Sequence, residues 1–199
     1  MVKTVDSLLE EYKKYSDPHG KIRRDVKNNL IFPIIRGLYE TDDKTSGLLL
    51  ASVIYGPSYI SFEYALSYHG LIPERVVLYT NATFNKRRSK MFKTNFGNYY
   101  YRDIPKDAYP YGIQIILHDK YVVFMAKPEK ALLDKLYTIS PVSNKTELKK
   151  LLFEDLRIDE EMFANLDKDL MIQLIPKYKS TNLNILKTLI EKETVKEWL

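Results

Sequence analysis

Apolar residues change their spacing several times along this chain, and each change predicts an element. Val5, Leu8, Leu9 and Tyr12 stand at i, i+3, i+4 and i+7, which predicts an amphipathic helix over about 4–15, closed by Asp17-Pro18-His19-Gly20. A short second helix is expected over about 21–28, and residues 30–39 alternate as a strand or two short strands around Pro33. The continuous apolar run Leu48 to Ile54 suits a helix or a buried strand, and is read as a helix. The stretch from Gly56 to Pro73 predicts a central buried helix: Gly56-Pro57 bends the chain, Ser61 caps, and Glu63 sits in the first turn. Phe62, Ala65, Leu66 and His69 then fall at helical spacing, and Gly70 and Pro73 stop the helix.

Further on the period changes to that of strands. Residues 75–80, 98–104, 111–117 and 121–126 read as strands, with His118-Asp119-Lys120 as the turn of a hairpin between the last two. Pro128 opens a helix whose buried stripe is Leu132, Leu133, Leu136 and Tyr137. Helices are expected over about 145–156, 159–165, 167–174 and 181–198, punctuated by Pro141 and Pro176. The fold class implied is α+β, with a small module over 1–45 and a larger mixed α/β domain over 46–199 that ends in a helical tail.

Composition narrows the chemistry. The 199 residues are 45% hydrophobic and 13% aromatic, enough for one sizeable core. No cysteine is present, which removes disulfides, thiolate metal sites and cysteine nucleophiles together and fits a reducing cytoplasm. No apolar run reaches the ~18 residues of a membrane span and no signal-peptide core appears, so a cytoplasmic location is expected. Net charge is +5, unevenly spread. Residues 20–36 carry five bases against one acid and residues 75–110 eight against two, whereas 154–169 carry seven acids against two bases. A basic front and an acidic rear suggest two kinds of partner.

Three blocks of sequence resemble the AbiEi antitoxins of type IV toxin-antitoxin and abortive-infection systems. They are residues 35–40 (IRGLYE), the SYIS and ALSYHGLIP runs within 56–73, and residues 126–136 (AKPEKALLDKL), in the family's order and spacing. The resemblance implies a non-enzymatic transcriptional regulator that binds its own promoter DNA. It further implies a nucleotidyltransferase toxin as functional partner, countered without a tight protein complex. Residues 21–39 resemble the last helix and wing of the winged-helix module at the N-terminus of that family, abbreviated to about 45 residues where a full module needs roughly 60 to 80. Lys127 stands where the family is expected to place a threonine or a similar cap.

Candidate DNA-binding residues follow from charge and position: Lys21, Arg23, Arg24, Lys27 and Arg36, each suited to phosphate contact. Gly37 beside Arg36 suits a bulge or turn. Lys86, Arg87, Arg88, Lys90 and Lys93, interleaved with Met91 and Phe92, form a second basic surface for an anionic partner, taken as a loop. Catalytic residues, metals and cofactors are expected to be absent. Ser58, Ser61 and His69 lack the GxSxG context of a nucleophile and read as caps and core. Glu129, Lys130 and Asp134 lack the second acid on adjoining strands that a metal-dependent nuclease arranges around its metal. The alternatives are such a nuclease or phosphoryl-transfer enzyme, and a solitary interaction module without DNA binding.

Overall fold

The computed structural model describes residues 1–118 and 121–192. Asp119 and Lys120 of the expected hairpin turn, and the expected last helix beyond Lys192, lie outside the described residues.

The chain opens with a short strand β1 (Lys3–Thr4), helices α1 (Val5–Glu11) and α2 (Pro18–Lys27), and a hairpin of β2 (Phe32–Ile35) and β3 (Leu38–Glu40). Local chemistry fixes these limits. Thr4 Oγ1 accepts the Ser7 amide at 3.1 Å, and Asp17 Oδ1 accepts the Gly20 amide at 2.8 Å with Pro18 in the first turn, so each helix starts on a side-chain cap. Gly37 turns the hairpin with φ +80°, a conformation that side chains resist, which explains the glycine after Arg36. The three strands form a sheet in the order β1-β3-β2. Leu8, Ile22 and Ile31 make a small core over it, packed by Val5, Leu9, Tyr12, Val26 and Tyr39. Ile34 and Leu38 of the hairpin belong instead to the main core, which fuses the module to the larger body.

The larger body is built on a six-stranded mixed sheet in the order β6-β7-β5-β4-β9-β8, made of β4 (Tyr59–Ile60), β5 (Tyr79–Thr83), β6 (Lys90–Thr94), β7 (Gly97–Asp103), β8 (Ile113–His118) and β9 (Tyr121–Ala126). Between the two sheets a 3-10 turn (Gly47–Leu50) runs into the short helix α3 (Ala51–Ile54), as the apolar run there predicts. Helix α4 (Phe62–Tyr68) packs on α5 (Pro128–Tyr137). The C-terminal region follows as α6 (Lys145–Lys150) with a π-helical turn to Asp155, α7 (Glu160–Ala164), α8 (Lys168–Leu174) and α9 (Thr181–Lys192). Asn144, Asp159 and Asp167 cap the first three of these. This region is no appendage: Leu183, Leu186 and Leu189 are fully buried in the main core.

Several expectations are corrected. The helix expected within Gly56 to Pro73 stands as α4, but ahead of it Ile60 pairs with both Asn81 and Met125, making Tyr59 and Ile60 a strand in the middle of the sheet that the sequence does not announce. Ser61 occupies the N-cap position of α4 but makes no cap hydrogen bond. Thr80 on the neighbouring strand serves instead, its Oγ1 accepting the Tyr64 amide at 3.0 Å while donating to the Ser61 carbonyl at 2.6 Å. The central helix is α5, buried on nearly every side. The strand expected from Arg75 begins only at Tyr79, and Lys90 to Lys93 lie in strand β6, not in a loop.

Candidate functional site

Burying α5 puts charges inside the protein, and their partners come from distant parts of the chain. Lys130 and Asp134, one helical turn apart, are both fully buried with Nζ 3.0 Å from Oδ1. Lys130 Nζ also donates to the Ala108 carbonyl at 2.8 Å and to the Tyr178 hydroxyl at 2.6 Å. Asp134 accepts from Tyr178 at 2.6 Å on Oδ1, and from Tyr59 at 2.8 Å and Ser61 at 2.7 Å on Oδ2. Three donors of the ammonium and four acceptor positions of the carboxylate are thus used, the condition under which buried charges are tolerated. Burial lowers the Lys130 pKa, opposed by the charge of Asp134. Burial, followed by that same charge, pushes the Tyr59 and Tyr178 hydroxyls well above their ordinary value.

This network joins the second and third sequence blocks, a connection reinforced where His69 Nε2 donates to the Ala126 carbonyl at 2.8 Å. Glu40, the last residue of the first block, is fully buried and accepts the hydroxyl of Tyr121 on β9, outside the three blocks. Ser61 and His69 are therefore held by different partners. Tyr59 and Tyr178 were not singled out from sequence: Tyr178 sits in the tail, and a lone tyrosine carries no signal of a buried carboxylate 44 residues away.

Glu129 accepts the Asp167 amide at 3.0 Å, and beside it Lys168 donates to the Phe163, Ala164 and Leu166 carbonyls at the end of α7. Burial brings the Lys168 pKa down to about 8 from 10.5, against the charges of Glu129 and Asp167. Between those values the unfolded chain holds the proton that the folded chain has lost, so stability rises with pH through this window. The melting temperature of the protein minus that of Lys168→Met should therefore grow from about pH 7.5 to about pH 10. A constant difference in thermal melts would contradict this assignment. Among the described residues, no three His, Asp or Glu side chains gather as a group able to hold a metal ion.

The N-terminal cations divide into two sets. Lys21 is half-buried and committed: it pairs with the buried Asp25 and lies 5.3 Å from the centroid of the Tyr12 ring. Burial raises the Asp25 pKa, but hydrogen bonds from Lys21 and Tyr12 outweigh it and hold the carboxyl below its ordinary value. Arg23 is 74% exposed and 3.6 Å from Asp17. Arg24, Lys27 and Arg36 are exposed and form no ion pair among the described residues. His19, Arg23 and Lys27 repeat every four residues on the outer face of α2, with Arg24 adjacent.

The second basic cluster is not brought together as one surface. Lys86 and Lys90 each lie 4.7 Å from the centroid of the Tyr55 ring, so both are held by one aromatic ring. Lys93, three residues along β6 from Lys90, is on the opposite side of the strand. Arg87 and Arg88 are exposed in the turn before it. That turn is ordered by Asp103, whose Oδ2 accepts the Lys86 and Arg87 amides at 2.6 and 2.7 Å.

No family model matches the chain, and no curated protein matches it in sequence. No helix among the described residues is long and apolar enough to cross a membrane.

Proposed function

We propose that this protein is an antitoxin-like transcriptional regulator of a type IV toxin-antitoxin system, binding its own promoter DNA and counteracting a nucleotidyltransferase toxin without a tight protein complex. The observation that carries the DNA-binding part is the outer face of α2, where Arg23, Arg24 and Lys27 are exposed in one small module with Arg36 at the hairpin turn. Phosphate contact needs exposed cations on one rigid surface, and a helix followed by a hairpin supplies it. The order of elements, with a strand before the two helices pairing with the last strand of the hairpin, fits the strand, last two helices and wing of a winged helix. The antitoxin part is supported by the resemblance of the three blocks, of which the second and third meet through Tyr59, Ser61 and Asp134.

Two measurements test the reading. In a gel-shift titration the protein should retard its own upstream region at lower concentration than unrelated DNA of equal length. In a growth assay, expression of the protein should rescue cells producing its cognate nucleotidyltransferase toxin. Equal retardation of both DNAs would remove promoter recognition, and failure to rescue would remove the antitoxin role.

A further inference from the structure

A cleft of about 430 Å³ opens beside the start of β4, with Pro57, Ser58 and Tyr59 in its wall and the rings of Tyr109 and Phe124 also lining it. We infer that this cleft binds a nucleotide, the base among the aromatic rings and the phosphates on the turn that carries Arg87 and Arg88. The inference goes beyond promoter binding and uses none of its residues, so either can fail alone.

Size, lining and charge agree. The volume falls in the range of small-molecule sites, roughly 300 to 1,000 Å³. Tyr109 is braced between Tyr59 at 5.1 Å and Phe84 at 4.5 Å, a rigid aromatic surface, while Phe124 is 41% exposed on β9. Such rings accept any base, because every base offers a π face. A second observation is independent of the rings. Ser58 is only 4% exposed, and its buried hydroxyl has no hydrogen-bond partner. Leaving such a group unpaired costs about 1–3 kcal/mol, which a polar edge of an occupant removes after a rotation about χ1.

The charge is held at the rim by contacts already made. Phe84 packs on Tyr109, and two residues later Lys86 Nζ donates to the Gly56 carbonyl at 2.9 Å, next to Pro57 in the cleft wall. The Lys86 and Arg87 amides are fixed on Asp103, and directly after Lys86 in this turn come Arg87 and Arg88, exposed and without an ion-pair partner among the described residues. Exposed guanidinium groups match phosphate oxygens in geometry as well as charge. An uncharged aromatic ligand would leave them unused, and a bare polyphosphate would leave the rings unused.

Isothermal titration of the full chain with ATP, GTP, CTP and UTP, with tripolyphosphate, and with a single-stranded octauridylate tests this. At least one nucleotide should bind one-to-one with Kd below about 1 mM at low salt, and tripolyphosphate should bind at least about tenfold more weakly. Phe124→Ala and the double change Arg87→Gln/Arg88→Gln should each weaken the nucleotide about tenfold, and only the latter should weaken tripolyphosphate. Octauridylate binding more tightly than UTP, with the same loss in Phe124→Ala, would identify the base as one carried on a strand. Ser58→Ala, a small change inside the wall, should weaken binding severalfold without altering the fold. Absence of binding by all four nucleotides and the octamer overturns the inference. So does tripolyphosphate binding as tightly as the nucleotides, or unchanged affinity in Phe124→Ala.

Discussion

Asp134→Ala is expected to destabilise the protein by about 3–5 kcal/mol, because it strands a buried ammonium whose remaining partners are a carbonyl and a hydroxyl. For a chain of this size that is a fall in melting temperature of roughly 6 to 20 °C. Lys130→Met removes the other charge and should cost a similar amount. The pair Lys130→Met/Asp134→Leu should be less destabilised than the sum, since no charge is then left without its partner. Recovery will be partial, as Tyr59, Ser61 and Tyr178 all lose the acceptor they now share. Ser61→Ala alone should cost about 1.5–3 kcal/mol, the range for a hydrogen bond to a charged group, where a lost helix cap would cost ~1 kcal/mol. Chemical denaturation of the four variants measures this. A cost below ~1 kcal/mol for Asp134→Ala would mean that the carboxylate is not the acceptor of the network.

The largest effect on binding is expected from Arg24→Ala/Lys27→Ala/Arg36→Ala. Each phosphate contact contributes about 0.9 to the slope of log affinity against log salt, so the variant should be shallower by about 2.7. The advantage of the native protein over the variant should therefore shrink roughly 40-fold between 50 and 200 mM salt. Lys21→Ala should behave differently. Its ammonium neutralises the buried Asp25, so its loss should lower the melting temperature and leave the salt slope nearly unchanged. Gel-shift titrations at several salt concentrations separate the two outcomes. A triple variant with the native slope would remove these residues from the DNA surface, whatever happened to its affinity.

Much of the local structure was legible because it is decided within a few residues. The apolar spacing of Val5, Leu8 and Leu9 and Pro128 before a Leu-rich stripe carry their cause beside them, whereas Asp17-Pro18, expected to close the first helix, caps and opens the second. The same holds for the strands from Ile113 to Ala126 and for Gly37 in its turn. Boundaries failed where a distant strand decided them. Tyr59 and Ile60 stand between a bend and a helix cap, too few residues to show a strand period, yet β5 and β9 supply hydrogen bonds on both sides.

The sequence by itself determined the α+β class, the places of most helices and the uneven distribution of charge, since propensity and side-chain type act over one or two turns. Only the tertiary structure decided which charges are free. Lys21, Lys86 and Lys90 look the same in sequence as Arg24 and Arg87, but each has met a carboxylate or an aromatic ring brought to it by packing. It also decided what Ser61, Lys130 and Asp134 do. Their network depends on Tyr59 and Tyr178, 119 positions apart and placed on Asp134 by the burial of α5 between the sheet and the C-terminal helices. Electrostatic interactions fall steeply in water and persist in the interior, so the meaning of a charged residue is set by burial, and burial belongs to the whole fold.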